Sequence, residues 1–359
     1  VSVIVALLAI GISLVTPDRN PSISNFQLIS LQLPGMLISG VTTGFVYAMI
    51  ALGYTLVYGV LKFINFAHSE IFMVGSVVGF EIMIRIFSTR FVNEAGDTVS
   101  AITVWSTVTL VLVTVAGAAL ASGLLAVLIE RVAYRPLRRA PRLVPLITAI
   151  GISFVLQDLV RAFESITRGD FNLSYPTRNL EWLATPIRVV VGEQTVNVRV
   201  SSIVVVIGAV IMLLLLNYFV NGTKIGRGIR AISQDQTTAG LMGINVNLLI
   251  AVTFFVGGAL GGAAGTLFGI NTGTVTPYSG FFPGLKAFTA AVLGGIGNVT
   301  GAVLGGLTLG LVEATLNSTL GFVPGLGVTY TDVFAFAVLI LVLIFRPSGI
   351  LGEKVDEKV

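Results

Sequence analysis

Charged side chains stand at helical spacing in two places of this sequence, and both spacings suit ion pairing. Glu81 and Arg85 are four apart, in the order that favours a pair on one helix face, and Asp158 and Arg161 are three apart. Each pair falls near the end of an apolar segment, so both read as structural ion pairs rather than substrate ligands. Glu313 and Asp332 also fall near segment boundaries. No carboxylate falls at the middle of an apolar stretch, which weakens a proton- or cation-coupled mechanism. The single histidine, His68, lies in INFAHSEIFMVG (64–75). Asn65 or Ser69 can cap the helix that starts there, and Glu70 suits its N-terminus, so His68 reads as structural rather than catalytic. The chain has no Cys, which excludes disulfides, thiol catalysis and Cys-based metal sites. It has no GxxxxGK[ST] phosphate loop, no HExxH and no GxSxG. Catalytic and metal-binding residues are therefore assigned as none, and the chain itself does not bind ATP in the usual way.

The residues best placed for recognition lie in NGTKIGRGIRAISQDQTTAGLMGINVNL (220–247), a polar, basic stretch between two long apolar segments. It has a basic helix start (Lys224, Arg227, Arg230) and small residues at Ala231, Ala239 and Gly243. This pattern suits a helix on the cytoplasmic side that docks into a groove on a soluble partner, with the partner driving the membrane part.

The elements that position these residues follow from composition. The chain is 55% apolar and 11% charged, with a mean hydropathy of +0.96, whereas soluble domains carry about 25% charged residues. It reads as an all-α, polytopic membrane protein. Its net charge of +4 reflects positive flanks of spans, not nucleic-acid binding. Spans need about 20 apolar residues. Candidates are 1–16, 35–60, 66–87, 103–128, 143–160, 201–219, 248–270, 284–316 and 328–346, giving about 8–10 membrane segments. Residues 1–16 read as an uncleaved first helix rather than a signal peptide. The loop ERVAYRPLRRAPR (130–142) carries five Arg against one Glu and is placed inside. Alternation then places 61–65 and 220–247 inside, and 17–34, 88–102, 161–200 and 271–283 outside. The tail after 346 is placed inside.

Parity has a consequence for 284–316, which must start and end outside. It is too short for two crossings and has a turn at Gly297-Asn298. The sequence predicts two half-helices, 285–296 and 299–316, dipping in and returning, as broken helices do along transport pathways. Asn65, Thr289 and Asn298 are candidate polar groups on the path, with Gly294, Gly295 and Gly297 forming the turn region. Helix-end N–H groups and carbonyls would suit a neutral zwitterion or small polar solute. Gly257, Gly261, Gly265 and Gly269 repeat every four residues, and Gly301 and Gly305 extend the pattern, a small-residue face for close helix packing. In the outer loop, IRVVVGEQTVNVRVS (187–201) alternates about a turn and reads as a hairpin. It serves either as a platform for an external binding protein or as a solvated lid.

Three stretches carry a family resemblance: LISGVTTGFVYAMIALGYTLVYGVLKFINFAHSEIFMVG (37–75), GRGIRAISQDQTTAGLMGINV (226–246) and GLKAFTAAVLGGIGNVTGAVLGGLTLGLVEA (284–314). They resemble the branched-chain amino acid permeases of ABC importers, LivH type, over roughly residues 33–352. The resemblance implies the ABC importer permease fold and a heteromeric complex in a bacterial or archaeal plasma membrane. The partners it implies are a second homologous permease, two cytoplasmic ATPases that bind ATP and Mg, and an external solute-binding protein. The chain itself would hold no cofactor. The coupling contact to the ATPase would lie at Arg227, Arg230, Ala231, Asp235, Ala239 and Gly243. The substrates implied are leucine, isoleucine or valine, with a urea or short-chain amide permease as the alternative in the same family and a secondary transporter or channel outside it. The expected organisation is an N-terminal apolar segment and external linker (1–34), a permease domain (35–352) and a cytoplasmic tail (353–359). Three features depart from the family pattern: Ser69-Glu70 where Gly-Asp is usual, the extra segment 1–16, and the elaborated loop 161–200.

Overall fold

The computed structural model describes residues 25–91, 103–138, 140–141, 143–191, 194–322, 327–346 and 349–351. The expected first span 1–16 and the tail 353–359 lie outside these. Twelve helices are described: α1 (Asn25–Leu61), α2 (Ala67–Phe91), α3 (Val104–Ile129), α4 (Leu143–Thr167), α5 (Glu181–Ala184), α6 (Val200–Gly222), α7 (Lys224–Gln234), α8 (Gln236–Leu241), α9 (Val246–Thr272), α10 (Phe281–Gly294), α11 (Val299–Thr319) and α12 (Thr331–Phe345). Seven of them (α1–α4, α6, α9 and α11) are long and apolar enough to cross a membrane, and α10 and α12 are shorter apolar helices. The chain is a multi-pass, predominantly helical membrane protein.

Glycine sets how closely the central helices approach. On α9, Gly257, Gly261 and Gly265 face Gly53, His68 and Phe72 of α1 and α2, while Gly258 and Gly262 face Ser122, Gly123 and Ala126 of α3. One helix thus presents two small-residue faces, one to each neighbour. Gly306 and Gly310 on α11 meet Gly40, Gly44 and Ala48 on α1 in the same way. Without a hydrophobic driving force inside lipid, such close backbone packing is a main source of cohesion.

The two ends of the bundle differ. One end carries α7 and α8, where the Gln236 amide donates to the Val60 carbonyl at 3.0 Å. The other carries the loop between α4 and α6. There β1 (Leu173–Ser174) pairs with β4 (Thr274–Val275). The hairpin read from alternation also forms, as β2 (Pro186–Val191) and β3 (Gln194–Arg199), paired from Pro186↔Arg199 to Val191↔Gln194. It stops at Arg199 because α6 starts at Val200.

Two helices begin inside the bundle rather than at its ends. His68, at the start of α2, packs against Gly53 and Gly261. Gly53 is eight residues before the end of α1, about 12 Å at helical rise, so α2 starts well inside the bundle from that end. The chain between β4 and α10 descends without helix. Val275 packs with Val77 and Phe80, whereas Gly280 lies against the Ser69 backbone, Glu70 and Met73. Non-helical backbone at this depth is tolerated because protein covers it.

These starts modify the expected half-helix pair. The turn falls at 295–298 as predicted, between α10 and α11. Yet α11, with 21 residues, is a full span rather than a half-helix, and only the 14-residue α10 is short. The break at 62–66 falls where a loop was expected, at 61–65, but its depth inside the bundle was not predicted.

Candidate functional site

The inner hairpin α7–α8 is built by caps. Thr223 ends α6 and accepts from the Gly226 amide at 2.9 Å. Gly226 itself lies against the Phe219 and Val220 carbonyls, where a side chain would not fit. Asp235 caps α8, accepting from Thr237 N (2.8 Å), Thr238 N (3.2 Å) and the Thr238 hydroxyl (2.6 Å). These donors hold its carboxyl below the ordinary aspartate value. Gly243 has φ +83° and closes the hairpin in the left-handed region. Asn245 then caps α9 through Leu248 N at 3.1 Å.

The six residues expected at the partner contact divide. Arg227, Arg230, Asp235 and Gly243 are exposed, and Arg230 also donates to the Val220 carbonyl and to Asn221 Oδ1. Ala239 is 4% exposed and Ala231 is half-buried, both against the apolar cluster of Ile229, Ile232 and Ile250. Ala231 and Ala239 thus face this chain's own membrane part, a correction to the expected docking face. The reason is that Ile229 and Ile232 share their side of α7 and must be buried. The residues presented outward instead are Leu241 and Met242, 84% and 78% exposed. The sequence signal for them was present, an apolar pair in an otherwise polar stretch.

The candidate path residues converge on the broken helices. Asn65 is 3% exposed, accepts from the Tyr134 hydroxyl at 2.6 Å and has an unpartnered amide nitrogen among the described residues. It lines a cavity of about 10 Å³ with Tyr54, Tyr58, Ile64, Phe288, Ala291 and Ile296, room for about one water. The Tyr54 hydroxyl, His68 Nε2 and Glu70 Oε2 nearby are likewise buried without partners, while Glu70 Oε1 accepts from Gln157 at 2.9 Å. Thr289 is buried on α10. Gly294 crosses the Gly301 backbone in close contact. Gly295 and Gly297 have φ of +104° and +96°. Asn298 caps α11 through Gly301 N (2.9 Å) and donates to the Leu351 carbonyl (3.1 Å). Ile350 N and Leu351 N donate to the Leu293 and Gly294 carbonyls. The turn is thus tied to the start of the tail, and Asn298 acts there as a cap.

Charge pairing is richer than the sequence spacing indicated. Glu81 pairs with Arg85 at 3.3 Å as expected and also with Arg168 at 2.6 Å, and Asp158 pairs with Arg161 at 3.0 Å. A further network joins α10, α11, α12 and α1. Lys286 Nζ lies 2.7 Å from both Glu313 and Asp332, and the Tyr47 hydroxyl donates to Glu313 at 2.6 Å. Lys286 is 8% exposed. A lone Lys in an apolar segment was the available signal, but its partners are 27 and 46 residues away along the chain.

Comparison with known proteins gives a consistent result. The family model described as branched-chain amino acid transport system, permease component, matches residues 36–343. The high-affinity branched-chain amino acid transport system permease protein LivH of Escherichia coli K12 is 40% identical over 336 residues, 90% of this chain and 96% of that protein. BraD of Pseudomonas aeruginosa, described in the same words, is 41% identical over 326 residues, 90% and 97% of the two chains. A solved metal-chelate type ABC transporter in an inward-facing conformation aligns over 96% of each chain with 14% identity and a TM-score of 0.44, too distant to carry an argument.

Proposed function

This chain belongs to the permease components of branched-chain amino acid transport systems, and on that premise we propose that it carries leucine, isoleucine or valine across a bacterial inner membrane. It is the membrane-spanning permease of an ABC transporter, not the ATPase. In the proposed complex it pairs with a second, homologous permease. Two cytoplasmic ATPases bind ATP and Mg²⁺ and press on α7 and α8, while a solute-binding protein delivers the amino acid at the opposite end. The observation that carries the reading is 40% identity over 90% of the chain to a branched-chain amino acid permease. The polar hairpin at one end of the bundle, with Leu241 and Met242 exposed at its tip, supports it. Arg227 and Arg230 are exposed on α7 and suit an acidic rim on the ATPase.

Mechanistically, α2 and α10 both start inside the bundle and touch at Ser69, Gly280 and Gly284. A push on α7–α8 reaches this region through Gln236 and the Val60 carbonyl at the end of α1. Parting α10 from α1 and α2 would open the small cavity at Asn65 toward the inner side. The test is purification of the complex from its native membrane, identification of the co-purifying chains, and uptake of radiolabelled leucine by proteoliposomes. Co-purifying P-loop ATPases and ATP-dependent leucine uptake are expected. A chain that purifies alone and moves leucine without ATP would sink the reading.

A further inference from the structure

We infer that the outer end of this chain holds a capture site for the amino acid zwitterion itself, in a cavity between the start of α6 and the end of α9. The inference rests on the transport reading above and assigns that reading a site. The cavity has a volume of about 420 Å³, within the range of roughly 300–1,000 Å³ common for small-molecule sites. It lies at the end of the bundle opposite α7 and α8.

Its lining combines one cationic side chain, Arg199, with the C-terminal end of a helix. Arg199 lines it, is exposed, and has no acidic partner among the described residues. It stands at the N-cap of the 23-residue α6 without a side-chain cap bond, so the positive end of the helix dipole adds to the guanidinium. Asn271 also lines the cavity. Its Oδ1 accepts from the Ser201 and Ser202 hydroxyls at 3.3 and 3.2 Å, which leaves its amide hydrogens to donate. The last turn of α9, Ile270–Thr272, also lines the cavity, and there the helix dipole is negative and helix-end carbonyls can meet an ammonium group. Leu183, Ala184 and Ile270 supply the apolar part. An α-amino acid with an aliphatic side chain matches all three features: carboxylate at Arg199, ammonium at the end of α9, branched side chain against the apolar patch. A neutral amide has no carboxylate for Arg199 and no ammonium for the end of α9.

The test uses the full complex with its partners, in liposomes for transport and in nanodiscs for saturation-transfer NMR of leucine, with leucinol as the control lacking a carboxylate. Three variants are compared: Arg199→Gln, Arg199→Lys, and Ala184→Trp, which fills the cavity without touching charge. Leucine moved per ATP hydrolysed should fall roughly tenfold or more in Arg199→Gln, the scale of a lost charge-assisted hydrogen bond. It should recover in part in Arg199→Lys and fall again in Ala184→Trp. NMR should show leucine bound to the wild type, weakened in Arg199→Gln, and leucinol unbound. Unchanged leucine per ATP in both Arg199→Gln and Ala184→Trp overturns the site. So does a fall of uptake and binding-protein-stimulated ATPase in equal proportion, which reassigns Arg199 to docking of the binding protein. A wild type that moves no leucine but shows the Arg199-dependent NMR signal sinks the transport reading and keeps the site. No signal and no uptake sink both.

Discussion

Asp235 turns the corner between α7 and α8 by accepting from three donors within two residues, and this holds its carboxyl below the ordinary aspartate value of 3.8. A carboxyl depressed in the folded state contributes stability that is present above its unfolded value and lost as pH falls through the folded one. The wild-type hairpin therefore keeps its cap at neutral pH and frays only on acidification below about 3.8. Asp235→Ala frays at neutral pH, seen as faster hydrogen exchange of the amides at 236–241. Exchange equal to wild type would remove Asp235 as the cap. The residue was legible as a member of the coupling stretch, but its task was not, because capping depends on where the helix breaks.

The elements cohere through small residues and one buried charge network. Gly310 lies against the Gly44 and Gly40 backbones, whereas a side chain at Gly35 would meet nothing. Gly310→Leu should thus lower stability by roughly 1–3 kcal/mol, the cost of forcing volume into a packed contact. Gly35→Ala should leave the thermal midpoint in detergent unchanged. An equal response of the two variants would refute packing by close approach. Lys286 joins α10 to α11 and α12. Lys286→Met leaves Glu313 with only its Tyr47 bond and should cost toward the lower end of roughly 3–5 kcal/mol, since Asp332 is partly exposed. The double variant Lys286→Met/Glu313→Gln should regain part of that loss. If the double variant is as unstable as the sum of its parts, the pair does not hold α10. The small-residue repeat was visible in the sequence, and its periodicity identified the right helix. Its division into two faces was not, since 257/261/265 and 258/262 are separated only by which neighbour each meets.

For the whole molecule, the transport reading proposed above makes the exposed tip of the α7–α8 hairpin the place where force would enter. Leu241 and Met242 are 84% and 78% exposed, so Leu241→Asp and Met242→Asp should each change stability by less than about 0.5 kcal/mol. Both should abolish leucine uptake and ATPase stimulation in the complex. Full uptake by either variant would move the coupling contact elsewhere on α7. The sequence by itself determined most of the long apolar helices, the turn near Gly297-Asn298, the polar hairpin between two spans and the family. Each of these is written in local chemistry: runs of apolar residues, Lys and Arg at span ends, Gly and Asn where backbone must turn, and long ordered motifs. Only the tertiary structure decided that α2 and α10 start inside the bundle, that Ala239 faces inward, that Lys286 meets Glu313 and Asp332, and that Arg199 and the end of α9 line one cavity. Those outcomes depend on which distant segments meet at the same depth. A chain whose lipid-facing and protein-facing residues are equally apolar does not announce that in its hydrophobic pattern.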